Sequence, residues 1–189
     1  VLRLVLATSF FLAFALVSSR ARADISSWAN ASAGPTFIDE GDGELESQAA
    51  LSLQAGLGTT PANFLSVGGL FHLETHFTRG TDLGILARVA TQGYNLGRWG
   101  VALDFGGYER FWGARHPGLL GGLVLGAPWG LTLRGEAGYG PNGGDGANDD
   151  NDTRMFGFVL GVDFARLTVF RTVGEDWYPN PFPGYREKK

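Results

Sequence analysis

From residue 49 onward the chain alternates, residue by residue, between a large apolar set and a small or polar set. Leu51, Leu53, Ala55 and Leu57 face away from Ser52, Gln54, Gly56 and Gly58. The stretch FHLETHF (71–77) divides into Phe71, Leu73, Thr75 and Phe77 on one side and His72, Glu74 and His76 on the other. The same two-residue period runs through 82–94, 98–110, 130–140 and 154–164, more weakly through 118–127 and 166–172. Period two is the signature of strands with unlike faces. Turn signals separate the segments: TTPAN (59–63), TRGT (78–81), NLG (95–97), FWGARHPG (111–118), APWG (127–130) and PNGGDGANDDND (141–152). Most are of hairpin length, so consecutive strands are expected to pair antiparallel. Segment 26–38 reads two ways: Trp28 and Phe37 sit in a run of Ala, Ser and Asn that fits either a first strand or an irregular lead-in.

Alternation does not say which face points outward; the character of the faces does. The second face carries Gly and Ala with isolated charges, Glu74, Arg88, Asp104, Arg134, Glu136 and Asp163, besides His72 and His76. Lys occurs only at Lys188 and Lys189. A water-facing surface normally carries many Lys and Glu; small residues with opposite charges suit the crowded inside of a narrow barrel. Aromatics gather beside the turns at Phe77, Tyr94, Trp99, Tyr108, Phe111, Trp112, Trp129, Tyr139 and Phe170, as in the girdles of strands that cross a membrane interface. In hydrocarbon every backbone polar group needs a partner, so such a sheet must close. The expected fold is all-β: an antiparallel up-and-down transmembrane β-barrel of eight strands, filled by its own side chains and without an open pore.

The N-terminus agrees with export. Residues 1–23 join an early Arg, a mostly apolar run and Ala21-Arg22-Ala23, a small-x-small site, which reads as a signal peptide cleaved after Ala23. The alternative is an uncleaved anchor. Removing 1–23 leaves 166 residues with 12 basic against 19 acidic side chains, a net charge of −7. That excludes a nucleic-acid partner. There is no Cys, so an exported chain of this kind draws no stability from disulfides. The 30 Gly, 14 Phe, 5 Trp and 5 Tyr favour strands with sharp turns.

In its leader, its alternation, its aromatic girdle and an interior of Arg88 and Arg134 against Glu74 and Glu136, the chain resembles the small outer-membrane barrels of Gram-negative bacteria, of the outer-membrane protein A or W type. The resemblance covers 49–172 and is one of pattern. It implies an outer-membrane location, lipid as the main partner and a monomer. Those barrels close on a terminal Phe; here Phe170 fills that place with 19 residues after it. The domain reading is a leader (1–23), an N-terminal segment with an acidic loop (24–48), the barrel (49–172) and a Pro/aromatic tail (173–189). Counting both 26–38 and 166–172 gives nine strands. Dropping 26–38 gives eight but moves the long acidic loop to the periplasmic side.

Two clusters invite a chemical reading. His72 and His76 lie ~13 Å apart along a strand and cannot share one zinc. His72 with Glu74 offers two ligands, and Asp104, Glu136 or Asp163 on neighbouring strands would have to complete a site. The expectation is instead an interior polar network of His72, Glu74, His76, Arg88, Asp104, Arg134, Glu136 and Asp163, with no cofactor. A wall-embedded lipid-modifying hydrolase would need Ser66 or Ser52 as nucleophile and His72 as base. Asp145, Asp149, Asp150 and Asp152 supply oxygens for a calcium site, but in one copy of a motif that works in stacks. The functional expectation is a structural or surface-interaction barrel, with the hydrolase or a soluble exported barrel around a hydrophobic ligand as alternatives.

Overall fold

The structure is a computed structural model, and it describes residues 25–39, 44–61, 63–111, 117–141 and 152–168. Eight strands form the barrel: β1 (Ser26–Asp39), β2 (Leu45–Gly58), β3 (Leu65–His76), β4 (Gly80–Thr91), β5 (Gly100–Arg110), β6 (Pro117–Gly126), β7 (Leu131–Pro141) and β8 (Asp152–Asp163). Each pairs antiparallel with the next, and β1 pairs with β8 to close the ring. Two short helices follow strands at one end: α1 (Gln92–Asn95) after β4 and α2 (Phe164–Thr168) after β8. Among the described residues no helix is long and apolar enough to cross a membrane, which says nothing of strands.

Two sequence-level questions are settled by the topology. Segment 26–38 is a strand. Its faces contrast too weakly to read, because Ala29, Ala31, Ala33 and Pro35 lie opposite Ser26, Asn30, Ser32 and Thr36. Segment 166–172 does not begin a ninth strand: Phe164–Thr168 is helical, and 169–172 lies outside the described residues. The barrel therefore runs from Ser26 to Asp163 rather than over 49–172. Phe170, the leader and the tail also lie outside the described residues. In an even up-and-down barrel, the β1–β2, β3–β4, β5–β6 and β7–β8 connections leave from one end. The start of β1 and α2 stand at the other. The end of β7 and the start of β8, joined in sequence by the acidic residues 142–151, thus lie away from α2, at the long-loop end.

The sheet's inner face is a mixed core. Ile38, Leu70, Leu86, Leu120, Val124, Met155 and Val159 are buried there beside the charged groups. Inner glycines make room for them. A Cβ at Gly122 would lie 3.1 Å from Arg134 Nε, and one at Gly157 would lie 2.8 Å from Glu136 Oε1. The β6–β7 link is a tight turn. Trp129, the one non-Gly residue with positive φ among the described residues (φ 64°), precedes Gly130 (φ 72°). Two successive positive φ values match the twist of hairpin strands, and Gly supplies the second without strain.

Candidate functional site

Strand parity decides which side chains meet inside. On β3 the inner column is Ser66, Leu70, His72, Glu74 and His76; on β4 it is Asp82, Leu86, Arg88 and Ala90. On β5 it is Ala102, Asp104, Tyr108 and Arg110; on β7 it is Thr132, Arg134 and Glu136. All eight residues expected in an interior network are buried. They fall into three levels along the barrel axis.

At mid-height Arg88, with no exposed surface, forks onto Asp104: Nε donates to Oδ1 (2.6 Å) and Nη2 to Oδ2 (2.7 Å). This two-pronged geometry is the strongest form of a guanidinium–carboxylate pair. The register places the two residues directly opposite on β4 and β5. Arg88 Nη2 also donates to Gln54 Oε1 (3.1 Å). The amide is thereby oriented, and its Nε2 faces His72 Nδ1 at 3.1 Å. The other ring nitrogen, Nε2, lies 3.3 Å from Glu74 Oε2. Arg134 completes the level, with Nη1 3.3 Å from Asp104 Oδ2 and Nε 2.8 Å from Glu136 Oε2. The Arg134–Glu136 contact is Coulombic; its angles are not those of a hydrogen bond.

Nearer the long-loop end, His76 Nε2 lies 3.8 Å from Glu74 Oε1 and 3.5 Å from Asp82 Oδ2, and Arg110 Nη2 lies 3.4 Å from the same Asp82 oxygen. Asp82 and Arg110 are absent from the residues picked by sequence, yet they share parity with Arg88 and Asp104; extending each column by a few residues finds them. Asp163 departs from expectation in a different way. It sits at the opposite end, where Oδ1 accepts from the backbone N–H groups of Ala29 (3.3 Å), Ala165 (3.0 Å) and Arg166 (3.2 Å), capping α2 rather than pairing with Arg88 or Arg134.

That end is closed from inside. Trp28 Nε1 donates to Asn95 Oδ1 (3.1 Å), and Asn95 Nδ2 donates to Ser66 Oγ (2.5 Å). Arg166 reaches in from α2, donating to the carbonyls of Arg98 (2.8 Å) and Leu131 (3.3 Å) and lying 4.7 Å from the centre of the Tyr94 ring. Tyr94 is also 5.5 Å from the Arg88 guanidinium.

Two aromatics expected in the girdle therefore belong to the interior. Tyr94 is buried because α1 turns the chain inward after β4. Tyr108 is buried because it has the parity of Asp104, and its ring faces Arg110 at 5.5 Å. Phe77, Trp99, Trp129 and Tyr139 are exposed on the outer rim; Trp112 lies outside the described residues. Phe64 and Phe164, which the sequence reading did not single out for the rim, are exposed there too. The rim aromatics divide between the two ends: Phe77, Phe111 and Tyr139 at the long-loop end, Phe64, Trp99, Trp129 and Phe164 at the other.

Between these ends the outer wall is apolar and open: Leu53, Val67, Phe71, Ile85, Leu103, Phe105, Leu123, Leu133, Phe158 and Leu160 are all exposed. Among the described strand residues, charges on the outer columns stand near the long-loop end, at Asp39, Glu109, Asp152 and Arg154. A shallow hollow of about 310 Å³ indents this outer wall between β5 and β8, lined by Phe105, Leu119, Gly121, Ala137, Tyr139 and Phe156 among others.

The two serines of the hydrolase reading stand in different places. Ser66 is six residues from His72 on one strand, ~20 Å at ~3.3 Å per residue, and its hydroxyl accepts from Asn95. Ser52 is level with Glu74 but fully buried. Of the four calcium candidates only Asp152 is described; it accepts from the Tyr139 hydroxyl, while Asp145, Asp149 and Asp150 lie outside the described residues.

No protein-family model matches the chain, and no curated protein is similar to it. One solved structure with a similar course is that of Neisserial surface protein A: 14% identity over 74% of this chain and 97% of that one, with a TM-score of 0.34. A likeness so distant has no bearing on function.

Proposed function

We propose that the protein is a small β-barrel of the bacterial outer membrane, with a closed polar interior and a structural or surface-interaction role. One observation carries the reading: the barrel is inside out relative to a protein dissolved in water. At mid-height its charges are buried, while large apolar side chains cover the outer wall. Water would oppose that arrangement on both counts, at roughly 25 cal/mol for each Å² of apolar surface left wet. Hydrocarbon favours the outer wall, and closure leaves no unpaired strand edge to face it. The height fits as well. A strand of 12 residues, such as β3, β4 or β8, at ~3.3 Å per residue and the ~35–45° tilt usual in barrels, rises by roughly 28–32 Å. That spans an apolar band of ~25 Å between two aromatic rings.

The filled interior argues against a diffusion pore and against a soluble carrier of hydrophobic ligands, because charged groups occupy the space where an apolar ligand would lie. On this reading the longer connections face the cell exterior, α1 and α2 face the periplasm, and residues 1–23 are the export signal.

Fractionation of an expressing Gram-negative host, followed by unboiled and boiled lanes on a denaturing gel, tests the proposal. Recovery in the outer membrane with a mobility shift on boiling is the expected result. A soluble product that enters the gel identically in both lanes overturns it.

A further inference from the structure

The mid-level cluster contains more negative than positive charge. Asp104, Glu74 and Glu136 are buried together, and only Arg88 and Arg134 supply permanent positive charge beside them. Both guanidinium groups contact Asp104, and Arg134 also contacts Glu136. The Glu74 carboxylate is left with the imidazoles of His72 and His76 and the Thr36 hydroxyl, 3.4 Å away. Two buried carboxylates side by side are held together either by a shared proton or by a further cation in its place.

The donors for one are in place. A ligand atom from each of His72, Glu74 and Glu136 lies within 4.8 Å of the other two. His72 Nε2 and Glu74 Oε2 are 3.3 Å apart. That is the edge of a tetrahedron around a metal with bonds of ~2.0–2.1 Å. A second observation points the same way: Glu136, 5% exposed, has no hydrogen-bond partner at Oε1, which stands in the space that the absent side chain of Gly157 leaves free.

We propose that His72, Glu74 and Glu136 form a binding site for one divalent transition-metal ion of the zinc class inside the barrel. One nitrogen and two oxygens from three side chains, with a remaining position for water, is a ligand set such ions accept. Binding at Nε2 moves the imidazole proton to Nδ1. There the Gln54 amide must turn its oxygen to accept it, giving up its bond from Arg88, while Arg88 keeps both bonds to Asp104. The metal supplies the cation that the cluster lacks and ties β3 to β7 across the interior. This inference goes beyond the membrane reading and does not depend on it.

The test uses untagged full-length protein, folded in detergent with Zn²⁺ or Co²⁺ and then freed of loose metal. Elemental analysis is expected to find about one ion per chain, and Co²⁺ to show the visible absorption of a low-coordinate site. His72→Ala and Glu136→Gln should lose the ion; far-ultraviolet circular dichroism reports whether they fold. Gln54→Leu should weaken binding ~10–100-fold, as loss of a supporting hydrogen bond to a metal-bound His does. Gln54→Glu, which accepts from Arg88 and from the imidazole together, should hold the metal at least as tightly as the parent. If the folded parent retains no ion, or if folded His72→Ala and Glu136→Gln retain as much as the parent, the site is refuted. Should both single variants fail to fold, the stoichiometry and Co²⁺ spectrum of the parent decide the matter alone.

Discussion

Replacing Ile85 by Arg sets lipid against water at one position. Ile85 is in the middle of β4, five residues from Gly80 and six from Thr91, and is 76% exposed on the outer column. Its side chain fills no part of the core, so the substitution removes almost no internal packing. In water a change at such a site alters stability by no more than about 0.5 kcal/mol. In a bilayer the same position lies roughly 13 Å below the strand ends, given ~3.3 Å per residue and ~40° tilt, which is close to the midplane. A lipid-facing Arg there costs ~2–4 kcal/mol, falling to ~0–1 kcal/mol near the interface. Leu65, the first residue of β3 and 47% exposed, supplies the interfacial comparison. Reversible denaturant unfolding from lipid vesicles reads both variants. The expected result is a loss of ~2–4 kcal/mol for Ile85→Arg and under ~1 kcal/mol for Leu65→Arg. Equal, near-zero effects at the two positions would refute the assignment of the outer wall to lipid.

Further outcomes follow from the interior. Arg88→Met leaves Asp104 buried with Arg134 as its remaining partner; unfolding should show a loss of ~3–5 kcal/mol, and adding Asp104→Leu should restore a large part of it. Gly34→Ala puts a Cβ 2.1 Å from the Phe158 carbonyl oxygen, so the same assay should show a loss of ~1–3 kcal/mol. Gly69→Ala, with nothing within 4 Å of the new Cβ, should be neutral or slightly stabilising. Arg166→Ala removes two bonds to carbonyls and the stack on Tyr94; hydrogen exchange should rise at α1 and α2 and stay unchanged at mid-barrel.

The closed antiparallel barrel was legible in the sequence because period two survives wherever one face is large and the other small. It was ambiguous on β1, where Ala29, Ala31 and Ala33 make the outer face as slight as the inner one, and it failed at 166–172, where seven residues of apparent pattern begin in a short helix. The buried polar side chains were legible by parity alone. Asp82, Arg110 and Tyr108 could have been found by carrying each column to the end of its strand. Which of them touch could not, because that depends on inter-strand register and on distances across the barrel. Tyr94 and Asp163 mark the limit: both lie where the chain leaves the sheet, and alternation ceases to predict direction once the strand ends.

The joint between β1 and β8 has a bearing on how the molecule is made. Every other pairing is a hairpin between neighbours in sequence, but this one unites residues as far apart as Asn30 and Asp163. Bringing together chain segments ~130 residues apart costs about 4 kcal/mol in entropy, before any constant term, and that cost varies only slowly with length. The pairing also breaks at Gly34 and Pro35, where Pro has no N–H to give. The hairpins therefore zip first and the ring joins last. Until it joins, two unpaired strand edges and the whole apolar wall stand open, unfit for hydrocarbon because the edges are unpaired and unfit for water because the wall is greasy. If the outer wall faces lipid, as proposed, a chain with that problem needs an escort until the β1–β8 joint has formed.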